Sequence, residues 1–181
     1  MKYNSAPFYI CFLFGLFATN EQAPARFKIQ RLVQSDTADP ASTLLTLADA
    51  EKIMGEPAKL TGNSFIDKGD TLEYKCDYTA LSQDPVTQKT GKLYFMYEIY
   101  SGAAAAASAY ADIYKANSAH EGVEIVKGLG TEAYYHSDQT GFYFYLVRKN
   151  EKMCRLKLNK ITSHSSLPEF KEAIKRVVDK L

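Results

Sequence analysis

The chain has 181 residues, with 22 Lys and Arg against 21 Asp and Glu, an apolar fraction of 46%, and 13 Tyr and 10 Phe. That content of apolar and aromatic residues excludes a disordered chain, the lack of a second long apolar stretch excludes a polytopic membrane protein, and a net charge of +1 gives no ground for a nucleic-acid partner. The balance is uneven: residues 148–181 hold ten basic and four acidic side chains, while residues 1–147 are net negative.

Lys2 precedes an apolar run from Phe8 to Ala18, followed by the polar Thr19-Asn20-Glu21-Gln22 and by Ala23-Pro24-Ala25, which has the small-x-small form of a signal-peptidase site. Eleven residues are too few to cross a bilayer, which takes about 20. The expectation is a cleaved export signal over 1–25 and a protein that is periplasmic or extracellular, not integral to the membrane. Cys11 follows Phe8-Tyr9-Ile10 and lacks the small-residue context of a lipid-attachment cysteine. Residues 26–43 are polar, contain Pro40 and show no period, so they read as a leader to one domain over 44–181.

Thr46 with Asp49 three residues on predicts a capped helix that Gly55 and Pro57 stop. A short strand over 58–61 precedes a loop at Gly62-Asn63, and Thr71 to Tyr78 alternates, with Leu72, Tyr74, Cys76 and Tyr78 inward. Lys92 to Tyr100 is a second long strand, and Ala103 onward is an alanine-rich helix with Tyr110, Ile113 and Tyr114 on its apolar stripe. Four strands follow, over 123–126, 132–136, 142–148 and 153–158, then a helix capped at Ser166 whose stripe is Phe170, Ala173, Ile174, Val177 and Leu181. Because helices do not regularly separate strands, the expected architecture is α+β: one curved antiparallel sheet of six or seven strands with three main helices packed mainly on one face.

The chain has no nucleophile elbow, Walker loop, dinucleotide fingerprint or His-Glu-x-x-His motif, so no catalytic residue, cofactor or metal site is expected. Glu98, Glu132 and His136 are the only candidates for a hydrolase without a motif. The positive signal is aromatic: with Phe142, Phe144 and Leu146 assigned to the core, Tyr143 and Tyr145 point outward and join Tyr134 and His136 as a candidate ligand surface. Lys171, Lys175, Arg176 and Lys180 form a basic face on the last helix, suited to weak contact with an anionic membrane surface. Cys76 and Cys154, both inward on strands, are expected to pair in an oxidising compartment.

The helix-to-stop sequence Leu47-Ala48-Asp49-Ala50-Glu51-Lys52-Ile53-Met54-Gly55-Glu56-Pro57, then Cys76-Asp77-Tyr78, then Gly128-Leu129-Gly130-Thr131-Glu132-Ala133 and Leu146-Val147-Arg148-Lys149, resembles small cell-envelope lipoproteins of unknown function. The same opening is similar to outer-membrane assembly lipoproteins and β-lactamase-inhibitor modules. The resemblance implies binding without catalysis. The functional expectation is therefore an exported noncatalytic binding module of the cell envelope, for a small ligand or an envelope protein, with a protein-interaction or inhibitor module as the alternative.

Overall fold

The computed structural model describes residues 40–181. The segment read as an export signal, Cys11 and residues 26–39 lie outside the described residues. The fold takes in Pro40–Leu44 as a short helix, α1, whose Ala41 is fully buried, so the end of the polar leader packs as part of the domain. Helix α2, Leu47–Met54, is fixed at both ends. The Thr46 hydroxyl accepts the Asp49 amide, Asp49 accepts the Thr46 amide, and Gly55 closes the helix in the left-handed region at φ 70°. A side chain on Gly55 would also collide with the His164 carbonyl, and the Ser166 amide donates to the Ile53 carbonyl at 2.9 Å, so residues 164–166 lie against this helix end.

Seven strands follow: β1 Ala58–Asp67, β2 Thr71–Ala80, β3 Lys92–Tyr100, β4 Val123–Ile125, β5 Glu132–Ser137, β6 Phe142–Lys149 and β7 Lys152–Asn159. Helix α3, Ala103–Asn117, sits between β3 and β4, and α4, Leu167–Lys180, ends the chain. All pairings are antiparallel, in the order β1-β2-β3-β7-β6-β5-β4, so the two hairpin-built halves meet where β3 pairs with β7. The result is the α+β domain with one open antiparallel sheet that the sequence implied. Strand β1 runs through Gly62-Asn63, which the sequence had marked as a loop. The register passes from Leu60 opposite Tyr78 to Gly62 opposite Asp77, leaving Thr61 as a bulged residue, and Gly62 lets the Asp77 carboxylate come close.

Helices α1, α2 and α4 cover one face, over Cys76, Tyr78, Leu93, Phe95, Tyr145, Val147, Cys154, Leu156 and Leu158. Helix α3 covers the other, packing Tyr110 on Tyr134, Leu146 and Met153. Phe170 of α4 is fully buried, with its ring 5.6 Å from that of Tyr143 and 5.8 Å from that of Tyr145. Truncating it to Ala leaves a cavity at the helix–sheet contact and should cost about 3–5 kcal/mol. Chemical denaturation of Phe170→Ala tests this; a loss below about 1 kcal/mol contradicts the packing.

The loop between β2 and β3 is fastened to the β7–α4 connection by one carboxylate. Asp84 accepts the Ser163 amide at 2.7 Å, the Thr87 hydroxyl at 2.6 Å, the Val86 amide at 2.9 Å and the Ser163 hydroxyl at 2.9 Å. Led by the Ser163 amide and the Thr87 hydroxyl, these donors hold its carboxyl well below the usual carboxylate range. A carboxyl depressed on folding stabilises above its unfolded pKa, and the contribution is lost as the pH falls toward the folded value. Asp84→Asn, which puts an amide donor among donors, should therefore lower Tm at pH 7, with a deficit that narrows as the pH falls below about 4. A deficit independent of pH would remove the carboxylate from this role.

Candidate functional site

The structure separates the four aromatic residues proposed as one ligand surface. Tyr143 and Tyr145 do not point outward: Tyr145 is 5% exposed and both pack on Phe170 under α4. Tyr134 and His136 lie on the opposite face, Tyr134 fully buried beneath Tyr110 and Tyr114 of α3. The physical reason is that β6 is covered on both sides, so its six-residue run Phe142 to Val147 is apolar at every position, and assigning one face to the core says nothing about the other. That unbroken run was the available signal.

The remaining sequence candidates are engaged in local structure. His136 stacks against His120 with ring centroids 5.9 Å apart and planes 11° from parallel. Burial and the neighbouring His120 lower the pKa of His136. Among the described residues no group of three His, Cys, Asp or Glu side chains is placed to hold a metal. Glu98 pairs with Arg155 at 2.9 Å and Glu132 with Arg148 at 2.7 Å. Along the register Glu132, Arg148, Met153 and Glu98 occupy four successive strands, which puts the Cα atoms of the two glutamates about 14 Å apart, and each carboxylate is paired with its own arginine.

The cysteines do not bond to one another. Cys76 lies on β2 and Cys154 on β7, with β3 between them: Cys76 is opposite Phe95, whereas Cys154 is opposite Tyr97. Two strand spacings, about 9–10 Å, exceed the roughly 7 Å limit for a disulfide. The sequence placed both residues on the same face correctly but made their strands neighbours, which they are not.

The residues that do converge are basic. A cleft of about 540 Å³ opens between α4, the β6–β7 turn and the β4–β5 loop, and Lys127, Lys149, Lys171 and Lys175 line it with Asp179 as the sole acid. That size is in the range of ligand pockets. Tyr145 forms part of the floor, so one residue of the aromatic set and two of the basic set belong to this site. Arg176 does not: it turns to α2 and binds Asp49 at 2.8 Å. Lys180 is exposed on α4 and lies outside the cleft lining.

The four ammonium groups are held differently. Lys149 donates to the Val178 carbonyl at 3.0 Å, near the end of α4, where a cation also offsets the helix dipole. Lys171 lies 5.3 Å from the centroid of the Tyr135 ring, and Lys175 is 3.6 Å from Glu172 on an exposed stretch of helix. Lys127 takes part in no ion pair among the described residues. The wall supplied by the β4–β5 loop is the turn Gly128-Leu129-Gly130, with φ 77° at Gly128 and 65° at Gly130. Its base is pinned where the Val126 amide donates to Ala133 and the Thr131 amide to Arg148, and a side chain on Gly130 would strike the Arg148 carbonyl. Residues 127 and 128 form a turn from Val126 to Leu129, and among the described residues the amides of Lys127, Gly128 and Gly130 donate no hydrogen bond. Unused backbone donors in a turn of alternating handedness, beside ammonium groups, are the chemistry of an anion site.

Lys127 and Lys149 escaped the sequence reading because they lie far along the chain from Lys171 and Lys175. Their one local sign was a lysine leading into a glycine-rich turn. Protein-family models, curated proteins and solved structures were compared with the chain, and none matches.

Burial pushes the Cys154 thiol up to about 12, so it is neither a nucleophile nor readily oxidised at neutral pH. Cys154 should react with a thiol reagent only after unfolding, and peptide mapping of the oxidised protein should find no Cys76–Cys154 cross-link. Recovery of that cross-link from folded protein would contradict the strand order.

Proposed function

We propose that this chain is an exported, noncatalytic binding module of the cell envelope whose ligand is anionic and occupies the cleft between α4 and the Gly128-Leu129-Gly130 turn. The observation that carries the reading is the convergence of four lysines, against one aspartate, on a cleft walled by unused backbone amides. Lysine ammonium groups act as point charges and suit the rounded charge of phosphate or sulfate; the planar, two-pronged recognition that favours arginine is missing here, since Arg148 is occupied by Glu132 and the Asn150 carbonyl. Export is supported by the pattern of the first 25 residues, and no helix among the described residues is long and apolar enough to cross a membrane. The short motifs that resemble envelope lipoproteins agree with a binding role.

Pyrophosphate, added to the full chain at low salt and followed by amide chemical shifts, should move resonances of Gly128 to Thr131 and of the Lys171–Lys175 turn. The double variant Lys171→Gln/Lys175→Gln should bind it about tenfold more weakly, each exposed charge contributing at most about 1 kcal/mol, while Lys59→Gln/Lys115→Gln should bind as the parent does. Equal loss in both double variants would reduce the effect to overall charge and reject the cleft.

A further inference from the structure

The β4–β5 loop has a second cleft on its other side. It encloses about 380 Å³ and is lined by Tyr110 and Tyr114 of α3, by Ile125, and by the same six residues, Val126 to Thr131, that wall the lysine cleft. Ile125 is 67% exposed, and the paired rings of Tyr110, itself nearly buried, and the half-buried Tyr114 line the cleft with it. The two clefts thus differ in chemistry and share one wall. Gly128 stands in that wall, where a Cβ added to it would meet nothing within 4 Å, so at this one position the wall carries no side chain between the basic side and the apolar side.

From this juxtaposition we propose that the ligand is an amphiphile bound one molecule at a time: a phosphate-bearing head among the lysines and an alkyl or acyl chain crossing Gly128 to lie against Ile125, Tyr110 and Tyr114. The proposal rests on the anion-site reading above and adds the apolar half of the ligand. Charge complementarity fixes which end goes where. The lysines, with the unused amides of the turn, hold the anion, while the α3 side offers the chain a surface of which Glu132 is the only charged side chain besides Lys127, and Glu132 is already paired with Arg148. The left-handed backbone at Gly128 and the lack of a β-carbon there keep the crossing low.

An alkyl phosphate series tests this on the full chain by isothermal titration, with methyl phosphate, dodecyl phosphate below its micelle concentration, and dodecyl maltoside as the uncharged chain. Dodecyl phosphate should bind one to one and at least about tenfold more tightly than methyl phosphate, the gain from burying about two methylenes. Dodecyl maltoside should bind far more weakly than dodecyl phosphate. Ile125→Ser, at an exposed position that leaves the core intact, should reduce the dodecyl phosphate affinity about threefold or more and leave methyl phosphate unchanged. Gly128→Asn, which tolerates the left-handed backbone while adding a side chain to the wall, should act in the same direction. If dodecyl phosphate binds no better than methyl phosphate while pyrophosphate still depends on Lys171 and Lys175, the amphiphile is rejected and the anion cleft stands. Loss of pyrophosphate binding as well would remove both. Equal affinity for dodecyl maltoside, or binding to anionic vesicles without one-to-one uptake of dodecyl phosphate, also overturns the proposal.

Discussion

The pairing of β3 with β7 is the contact on which the rest of this structure depends. It joins two halves that are each built from local hairpins, and it is the one place where strands far apart in sequence must find each other. Once it forms, β3, β7 and β6 become interior strands, covered by α1, α2 and α4 on one face and in part by α3 on the other, where the register pair Tyr94 and Lys157 stays exposed. A central strand covered twice needs apolar residues at nearly every position. The buried carboxylates of that region are paired: Glu98 meets Arg155, and opposite it in the register Glu73 is held by Lys68 and Lys75. Burial would raise the pKa of Glu73, but the two ammonium groups outweigh it and the net shift is downward.

The same constraint decides where a ligand can go. With one face of the sheet filled by three helices, the clefts described above lie beyond the ends of the strands and at the sheet edge. The β4–β5 loop projects past the three-residue strand β4 at the sheet edge, so it receives α4 on one side and α3 on the other without being buried by either. Two clefts with one shared wall follow from this geometry. The wall is stiff at its base because Gly130 sits directly under the Arg148 carbonyl, and Arg148 is itself tied to Glu132 and to the Asn150 carbonyl. On the proposed reading, a turn pinned at its base would lower the ordering cost of binding.

Much of the fold was legible because its signals are local. Thr46 with Asp49, Ser166 with Glu169, and Gly55 at the helix stop are each satisfied by contacts within a few residues, and the alternation of β2 and β3 depends only on the strand period. The failures were of another kind. Whether Cys76 and Cys154 sit on adjacent strands depends on β3 lying between them, and whether Tyr145 is outward depends on which helix covers which face; neither is encoded within a strand. Gly62 read as a loop because a glycine followed by asparagine usually breaks a strand, whereas here it marks a bulge opposite Asp77. Lys127 and Lys149 gave no pattern of their own, since their chemistry arises only when turns remote in sequence are brought to the same helix.

The motifs that resemble envelope lipoproteins have structural work to do in this chain, and this bears on how they should be weighed. Gly55 accommodates the His164 carbonyl, the Tyr78 hydroxyl donates to the Leu45 carbonyl at 2.6 Å, Gly130 lies beneath Arg148, and Glu132 binds Arg148. Each fastens a connection to the sheet, so the pattern would follow from the architecture whatever the protein binds. The lysines of the cleft fall mostly outside those motifs: Lys127 immediately precedes the glycine turn, Lys171 and Lys175 lie on α4, and only Lys149 ends a quoted segment, where its side chain caps α4. On the proposed reading the specificity of this chain would rest on Lys127, Lys171, Lys175 and Ile125, which are set around one turn, rather than on the residues that fasten its framework.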